Sequence, residues 1–559
     1  MPQDQGRPQA SEPAGAGTSA QCPRWTWLWW LVPASAIALW YWGLATVAQQ
    51  RIESLQILGP SAFAVYNQIF WNFAQTGSFE QTILSGYADN WVWSGHRSPW
   101  IFVVGWIYHL APEPLTLCRI QIAAVALGGL PAFGLGWRVF GGPWGGVAGL
   151  VMYLGYPPLA VLALNDYQEI VLGIPLAVAA VHQAWRGSAW GFALACLATA
   201  ASREEWILVV PFLGLLAQGA WRERLVWVAR ALAVVLVYFG VLCWVSFDGR
   251  PHHNPEVARP GPSLPSSWGK ALERARTVLA PVSYPTEVRA DQSWKQTWLG
   301  FRQITRGPHE LIHFYLDLGA PIHLVSVFAP SALIPAVGAL AVHMTAPGDI
   351  AIDADWGRAV HHMAPIVALI VLGAILGAGW CYRRTGGQRR LWIPLGLVAA
   401  FLVLAVGRPW EVGLELPWAP PPPRGSTWKL ALEWHLVAQV PLEARVATDQ
   451  RASLTVSGRR HCYTYDDSLQ EKAPGRGARV EAPEGPAARA LPSPDRGLRA
   501  VDYLLVRREH RDWVAQVQGM RGALLMGETP DYLLFRLPWA GPPPAPPEHG
   551  GAGEKNARN

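Results

Sequence analysis

Long apolar runs separated by short polar segments alternate along the chain from residue 25 to residue 409. A run of about 20 apolar residues is long enough to cross a hydrocarbon core of about 30 Å. The runs that approach this length are 25–48, 116–137, 144–163, 170–185, 188–202, 206–221, 226–247, 311–326, 327–346, 361–382 and 391–409. A shorter run, 100–111, suits a helix at the membrane interface. The pattern predicts an α-helical polytopic membrane protein with about 11 transmembrane helices and a short interfacial helix.

The pattern changes after Pro409, where shorter alternating stretches follow a proline-rich segment. Residues 411–426 have the composition of a stiff linker. The stretch DYLLFRL (531–537) has the alternation of a short strand. We therefore expect a small α/β domain at 427–539 with a flexible insertion near 470–498. The remaining expected units are disordered tails at 1–24 and 540–559, a helical membrane domain at 25–410, and its outer loops at 49–99 and 248–310.

Composition supports the membrane assignment, since 51% of the residues are hydrophobic and only 15% are charged. The net charge of +6 does not indicate nucleic-acid binding, because the basic residues lie in short clusters between apolar runs. The clusters are Arg138, Arg186, Arg222 with Arg224, and RRTGGQRR (383–390). Counting through the runs places all of them on the side of the N-terminus. The positive-inside rule then predicts a multi-pass protein of the inner (plasma) membrane, with a cytoplasmic N-terminus and an extracytoplasmic C-terminal domain.

Acidic and histidine side chains stand at the opposite ends of the runs. The same count places Asp166, Glu169, Glu204, Glu205 and the pair His361–His362 on the outer side, together with the first loop. Solvated loop residues are the simpler interpretation of each one alone. An Asp three residues before a Glu also resembles a helix-capping box, which would give Asp166 a structural role. Their shared placement favours a reaction or binding site at the outer membrane surface.

Several ordered motifs resemble those of a known family. They are AVYNQIFWNFAQTG (64–77), SGHRSPW (94–100), LGYPPL (154–159), LNDYQEIVLGIP (164–175), SREEW (202–206) and HHMAPIVALIVLGAI (361–375). Their order resembles the bacterial and archaeal membrane proteins called domain of unknown function 2079. That family is in turn similar to the C-type glycosyltransferases (GT-C fold), which take sugars from polyprenyl-phosphate carriers. The chain departs from the family pattern at Ala62 and Asn67, where the family usually carries aspartates.

The resemblance implies a glycosyltransferase that moves a sugar from a polyprenyl-phosphate carrier to a cell-envelope acceptor at the outer face. Such a reaction needs a carboxylate base for the acceptor hydroxyl and cationic groups for the leaving phosphate. Asp166 is the first candidate for the catalytic base and Asp89 the second. The candidate substrate-binding residues are Gln68, His96, Arg97, Glu169, Arg203, Glu204, Glu205 and His361.

Two other functions remain open at this stage. The uncharged residues at 62 and 67 favour a non-catalytic envelope assembly or binding protein on the same fold. A transporter of lipid-linked sugars is the other alternative. No cofactor follows from the sequence, and a divalent metal ion, shared for example by Glu169, stays open. The expected partners are a polyprenyl-phosphate-linked sugar and membrane lipid, without nucleic acid.

Overall fold

The computed structural model describes a helical bundle and parts of a C-terminal sheet. The described residues are 26–53, 60–83, 89–90, 96, 98–245, 329, 331, 364–384, 436–448, 452–464, 501–508 and 510–538. The predicted linker at 411–426, the insertion at 470–498, both tails and the apolar run 391–409 lie outside these residues. The runs at 311–326 and, apart from two isolated residues, 327–346 lie outside them as well.

Helices occupy the other eight apolar runs. Leu31–Glu53 (α1) and Pro60–Thr76 (α2) are followed by Trp100–His109 (α3), Pro114–Leu127 (α4), Gly129–Phe140 (α5), Pro143–Leu154 (α6), Pro157–Leu164 (α7), Glu169–Trp185 (α8), Ala189–Ala200 (α9), Glu205–Leu213 (α10), Trp221–Val245 (α11) and Ala364–Arg384 (α12). A short 3-10 helix, Thr26–Trp30, precedes α1. The predicted interfacial run corresponds to α3, which has the exposed apolar side chains Phe102 and Trp106 along its length and Leu110 at its C-cap.

Four helical segments in the described part are long and apolar enough to cross a membrane, namely Leu28–Glu53, Pro114–Phe140, Trp221–Leu242 and Ala364–Arg384. The run 144–163, expected as one helix, is instead α6 and α7, which meet at an angle of 52°. The prolines at 157 and 158 lack the N–H groups that would continue α6, so the chain bends there. Helices α8, α9 and α10 are shorter than the expected spans.

Helix α12 lies at the centre of the bundle, and every residue from Ala364 to Gly379 is buried. Around it, α5 and α6 pack closely because glycines face each other. A Cβ atom on Gly149 would lie 2.5 Å from the carbonyl oxygen of Ala132, and one on Gly136 would collide with the carbonyl of Gly145. Small residues at such contacts allow two helix backbones to approach, as in many membrane helix pairs.

The described C-terminal residues form a five-stranded mixed sheet. Its strands are Val446–Thr448 (β3), Cys462–Thr464 (β4), Tyr503–Arg507 (β5), Leu524–Glu528 (β6) and Tyr532–Arg536 (β7), in the order β4-β3-β5-β7-β6. The first three are parallel, and β7 is antiparallel to both of its neighbours. Alternate side chains face opposite sides. Leu504 and Val506 join a small core with Val517 of the helix Arg511–Gln518, whereas Tyr503 and Leu505 join the core shared with the bundle.

The sheet is attached to the bundle through α2 and the segment after it, which contains the short strand Glu80–Gln81 (β1). The amide of Gln68 donates to the carbonyls of Arg459 and Arg460, both at 3.2 Å, and to Thr82 Oγ1 at 3.0 Å. Its oxygen accepts from the backbone N–H of Thr82. Thr82 Oγ1 in turn donates to the carbonyl of Cys462 at 2.6 Å and accepts from its N–H at 3.0 Å. Gln68 therefore joins the two parts of the chain.

Asn67 forms a second joint beside the first. Its Nδ2 donates to Ser457 Oγ at 2.8 Å, and its Oδ1 accepts from the hydroxyl of Tyr108 at 2.7 Å. All three side chains are buried. This contact connects α2, α3 and the C-terminal unit.

Candidate functional site

Four separated segments bring polar side chains together at one end of the bundle. These segments are α2, residue 96, the connection from α7 into α8, and the connection from α9 into α10. We call the group the acid cluster; its members are Tyr66, His96, Asp166, Gln168, Glu169, Arg203, Glu204 and Glu205. Six of them are at most 4% exposed, the others being His96 at 11% and Glu205 at 18%. The structure thus gathers residues that the topology count had placed on one side.

The connection 165–168 interrupts the helices and is held by Gln121 of α4. The Nε2 atom of Gln121 donates to the carbonyl of Leu162 at 2.9 Å and to those of Asn165 and Asp166 at 3.3 Å. Its Oε1 accepts from the backbone N–H of Gln168 at 2.8 Å. These bonds satisfy backbone groups that have lost their helical partners in a buried place. Gln121 therefore fixes the path of the chain on which Asp166 lies.

Asp166 is linked to Arg203 through the amide of Gln168. Gln168 Nε2 donates to Asp166 Oδ2 at 2.9 Å, and Gln168 Oε1 accepts from Arg203 Nη1 at 3.2 Å. The Gln168 amide thus directs its N–H donor at the Asp166 carboxylate and its acceptor oxygen at the Arg203 guanidinium. The capping role considered for Asp166 is wrong, because the N-cap residue of α8 is Gln168 and no side chain caps that end.

Burial changes the acidity of Asp166. It raises the pKa of the carboxyl to about 7, although the Gln168 hydrogen bond and the Arg203 charge act in the opposite direction. A general base works best when its pKa lies near the operating pH. The Asp166 carboxylate has that property.

Glu169 and Tyr66 form the most buried contact of the acid cluster. The Tyr66 hydroxyl donates to Glu169 Oε2 at 2.6 Å and lies 3.4 Å from Gln168 Oε1. The other carboxylate oxygen, Oε1, has no hydrogen-bond partner among the described residues, although Glu169 is 0% exposed. A buried acceptor of this kind is one place where a ligand hydroxyl fits.

Two ion pairs complete the acid cluster. Nδ1 of His96 lies 2.8 Å from Glu204 Oε1, and Nε of Arg203 lies 3.0 Å from Glu205 Oε1. Arg203 is therefore in contact with a carboxylate on one side and an amide oxygen on the other. The two pairs bring the segment before α3 against the connection before α10.

Some of the predicted site residues are not part of the acid cluster, and two members of the cluster were not predicted from the sequence. Gln68 lies at the joint with the C-terminal sheet. Asp89 belongs to the short strand Asp89–Asn90 (β2), where it pairs with Gln81. Arg97 and His361 lie outside the described residues. The missed members are Tyr66 and Gln168, together with their support Gln121; only the motifs that contain Tyr66 and Gln168 gave a signal for them.

A metal site is not evident in this part of the molecule. Across the stretches that the structure describes, no three His, Cys, Asp or Glu side chains are grouped so that they could hold a metal ion. In the acid cluster the imidazole of His96 is engaged with Glu204, and Glu205 with Arg203. The described residues therefore do not fit the divalent metal left open by the sequence.

A family comparison covers most of the chain. Residues 61–474 match the model of a family described as predicted membrane protein (DUF2079). The match includes α2, the whole acid cluster and α12. No curated protein sequence matches the chain.

The chain is similar to solved structures. ArnT from Cupriavidus metallidurans bound to undecaprenyl phosphate aligns over 92% of this chain and 100% of its own, with 12% identity and a TM-score of 0.51. The oligosaccharyltransferase AglB from Archaeoglobus fulgidus, in complex with an inhibitory peptide and a dolichol-phosphate, aligns over 84% of this chain and 70% of its own, with 12% identity and a TM-score of 0.46. The ArnT alignment assigns the fold to the GT-C class.

Proposed function

The chain belongs to the family of predicted membrane proteins described as DUF2079, and we propose that it transfers a sugar from a polyprenyl-phosphate carrier to an envelope acceptor. One observation carries the proposal: the convergence of the acid cluster from four segments of a GT-C fold. The similar structure of ArnT holds undecaprenyl phosphate, which is a lipid of the proposed class. The donor sugar's carrier would enter at the end of the bundle where this cluster lies.

Asp166 is the proposed base. The oxygen of an acceptor hydroxyl attacks the anomeric carbon of the sugar, and the bond from that carbon to the phosphate oxygen breaks. The hydroxyl proton passes to Asp166 while polyprenyl phosphate leaves with the bonding electrons. Arg203 and His96 stabilise the negative charge on the departing phosphate. Glu169, with its available Oε1, accepts a hydrogen bond from a sugar or acceptor hydroxyl.

The proposed location is the outer face of the plasma membrane. Glu169 and Trp185 mark the two ends of α8, and 16 residues of helix separate them by about 24 Å. The acid cluster is at the Glu169 end of α8, and Arg138 and Arg383 are at the Trp185 end. Since basic residues favour the cytoplasmic side, the acid cluster belongs on the other side. The exposed apolar residues of α3 offer the polyprenyl chain a path beside it.

The test is sugar transfer by the purified full chain in lipid nanodiscs, supplied with radiolabelled polyprenyl-phosphate sugars and an envelope-glycan acceptor. We expect turnover by the wild type and a loss of at least about 100-fold in Asp166→Asn, in line with the contribution of a general base. Glu113→Gln is the matched control, because Glu113 is an exposed acid that pairs with Arg119 away from the acid cluster. Equal turnover in Asp166→Asn and the wild type would exclude Asp166 as the base.

A second candidate function is carrier binding without catalysis. It is favoured by Asn67, which stands at a position where the family usually has an acid. Its side-chain amide hydrogen-bonds to Tyr108 and Ser457. This alternative predicts that the wild type retains a labelled polyprenyl-phosphate sugar without releasing its sugar. Binding weakened by Arg203→Gln, with no turnover for any donor, would support it.

A further inference from the structure

A basic cavity lies at the end of the bundle opposite the acid cluster. It has a volume of about 580 Å³ and is lined by Arg138, Arg224 and Arg383, with the aromatic rings of Trp185 and Tyr382. None of its lining residues is acidic. The arginines come from three different helices, so their approach is a product of the fold.

Each arginine keeps hydrogen-bond capacity for a ligand. Arg383 Nη1 donates to the carbonyl of Val139 at 2.9 Å, and Arg224 Nε donates to the carbonyl of Gly219 at 3.2 Å. Within the described part of the chain the guanidinium of Arg138 makes neither a hydrogen bond nor an ion pair. Since a guanidinium has five N–H donors, these contacts fix two of the groups and leave most of their donors for an anion.

The chemistry of the cavity selects a phosphate. Guanidinium groups bind phosphate oxygens through paired, charge-assisted hydrogen bonds. The nearest carboxylate in sequence, Glu223, accepts from the N–H of Ala220 and so caps the start of α11. Its single negative charge is outnumbered by the three arginines that line the cavity.

The surroundings select a lipid as the source of that phosphate. Trp221, Leu225 and Val226 of α11 are 60%, 44% and 50% exposed beside the cavity. Such an apolar surface suits acyl chains, and tryptophan is enriched at the level of lipid headgroups. We propose that the cavity binds the headgroup phosphate of an anionic phospholipid in the leaflet opposite the acid cluster, with the acyl chains along α11. This site does not depend on the proposed sugar transfer.

The test is lipid binding to the delipidated full chain in detergent, followed by native mass spectrometry. We expect phosphatidylglycerol to bind at least about tenfold more tightly than phosphatidylcholine, because basic residues near anionic headgroups add affinity. The double variant Arg138→Gln/Arg383→Gln is expected to lose roughly tenfold or more in phosphatidylglycerol affinity, and Arg138→Lys/Arg383→Lys to lose less. Arg119→Gln removes one positive charge at the other end of the bundle and is expected to bind phosphatidylglycerol as the wild type does.

Three results would overturn the proposal. The first is equal affinity for the two phospholipids. The second is unchanged phosphatidylglycerol binding by a double glutamine variant whose melting temperature matches that of the wild type. The third is displacement of phosphatidylglycerol by an equal concentration of inorganic phosphate or glycerophosphoglycerol, which would identify a soluble phosphate as the ligand.

Discussion

His96 Nδ1 and Glu204 Oε1 lie 2.8 Å apart although 108 residues separate them in the chain. Burial and the charge of Glu205 raise the pKa of Glu204, but the charge and hydrogen bond of His96, together with the charge of Arg203, outweigh them and lower that pKa. The pair closes the segment before α3 onto the connection between α9 and α10. It thereby encloses one side of the acid cluster.

Replacing His96 with Ala should destabilise the protein, because it leaves the buried Glu204 carboxylate without this partner. Breaking a buried pair costs on the order of 3 kcal/mol. The measurement is thermal unfolding in detergent of His96→Ala, Glu204→Gln and the double variant. We expect the double variant to unfold at a higher temperature than the sum of the single effects predicts. Strictly additive shifts would mean that the two residues do not interact.

Asp166 should make stability depend on pH. Because its folded pKa of about 7 lies above the unfolded value of 3.8, the folded state binds more protons between these values, and stability falls as pH rises through this window. Over this window the loss in the free energy of unfolding is on the order of 4 kcal/mol. Asp166→Asn should remove this contribution, which melting curves from pH 4.5 to 8 would detect. Parallel pH profiles for variant and wild type would contradict the raised pKa.

The hydroxyl of Tyr66 should matter for both stability and ligand binding. Tyr66→Phe removes the hydrogen bond to Glu169 and should cost about 1–3 kcal/mol. Tyr153→Phe is the matched control. The Tyr153 hydroxyl donates to the carbonyl of Val125, at a distance of 2.9 Å, and neither residue belongs to the acid cluster. Both variants should have a lower melting temperature than the wild type, but only Tyr66→Phe should bind a polyprenyl-phosphate sugar more weakly. Equal retention by the two variants would remove Tyr66 from the proposed site.

Thr82 should hold the C-terminal sheet against the bundle. Thr82→Val removes the hydroxyl that exchanges two hydrogen bonds with Cys462 and one with Gln68. We expect faster proteolysis within the C-terminal unit under conditions that leave the bundle intact. Thr46→Val removes an exposed hydroxyl that hydrogen-bonds to a backbone carbonyl within α1. We expect this variant to be cleaved at the wild-type rate. Unchanged cleavage of Thr82→Val would show that other contacts hold the joint.

The sequence predicted the helices better than it predicted the contacts of the site. Apolar runs identify helices locally, because each run satisfies its own backbone. The grouping of Asp166 with Arg203 followed from counting run ends. Gln121 could not be predicted, since its partners are more than 40 residues away and a lone glutamine in an apolar run carries no pattern.

Gln68 shows that a motif can also suggest a ligand contact for a residue whose observed partners belong to the protein itself. Its motif suggested a substrate contact, yet its amide is engaged by Thr82, Arg459 and Arg460. The partners at 459 and 460 come from the C-terminal unit, whose docking onto α2 has no signature in either segment. Likewise, the bend between α6 and α7 was missed because 144–163 was treated as one apolar run, although Pro157 and Pro158 interrupt the helix there.

The burial of α12 on all sides has a consequence for biogenesis. The ribosome makes α5 and α8, which pack against α12, well before it makes α12 itself. Until α12 is inserted, the surfaces that will contact it must face lipid, the translocon or another part of the nascent chain. The bundle therefore reaches its final packing only after residue 384 has been synthesised, and a ribosome that stalls earlier leaves a product without its central helix.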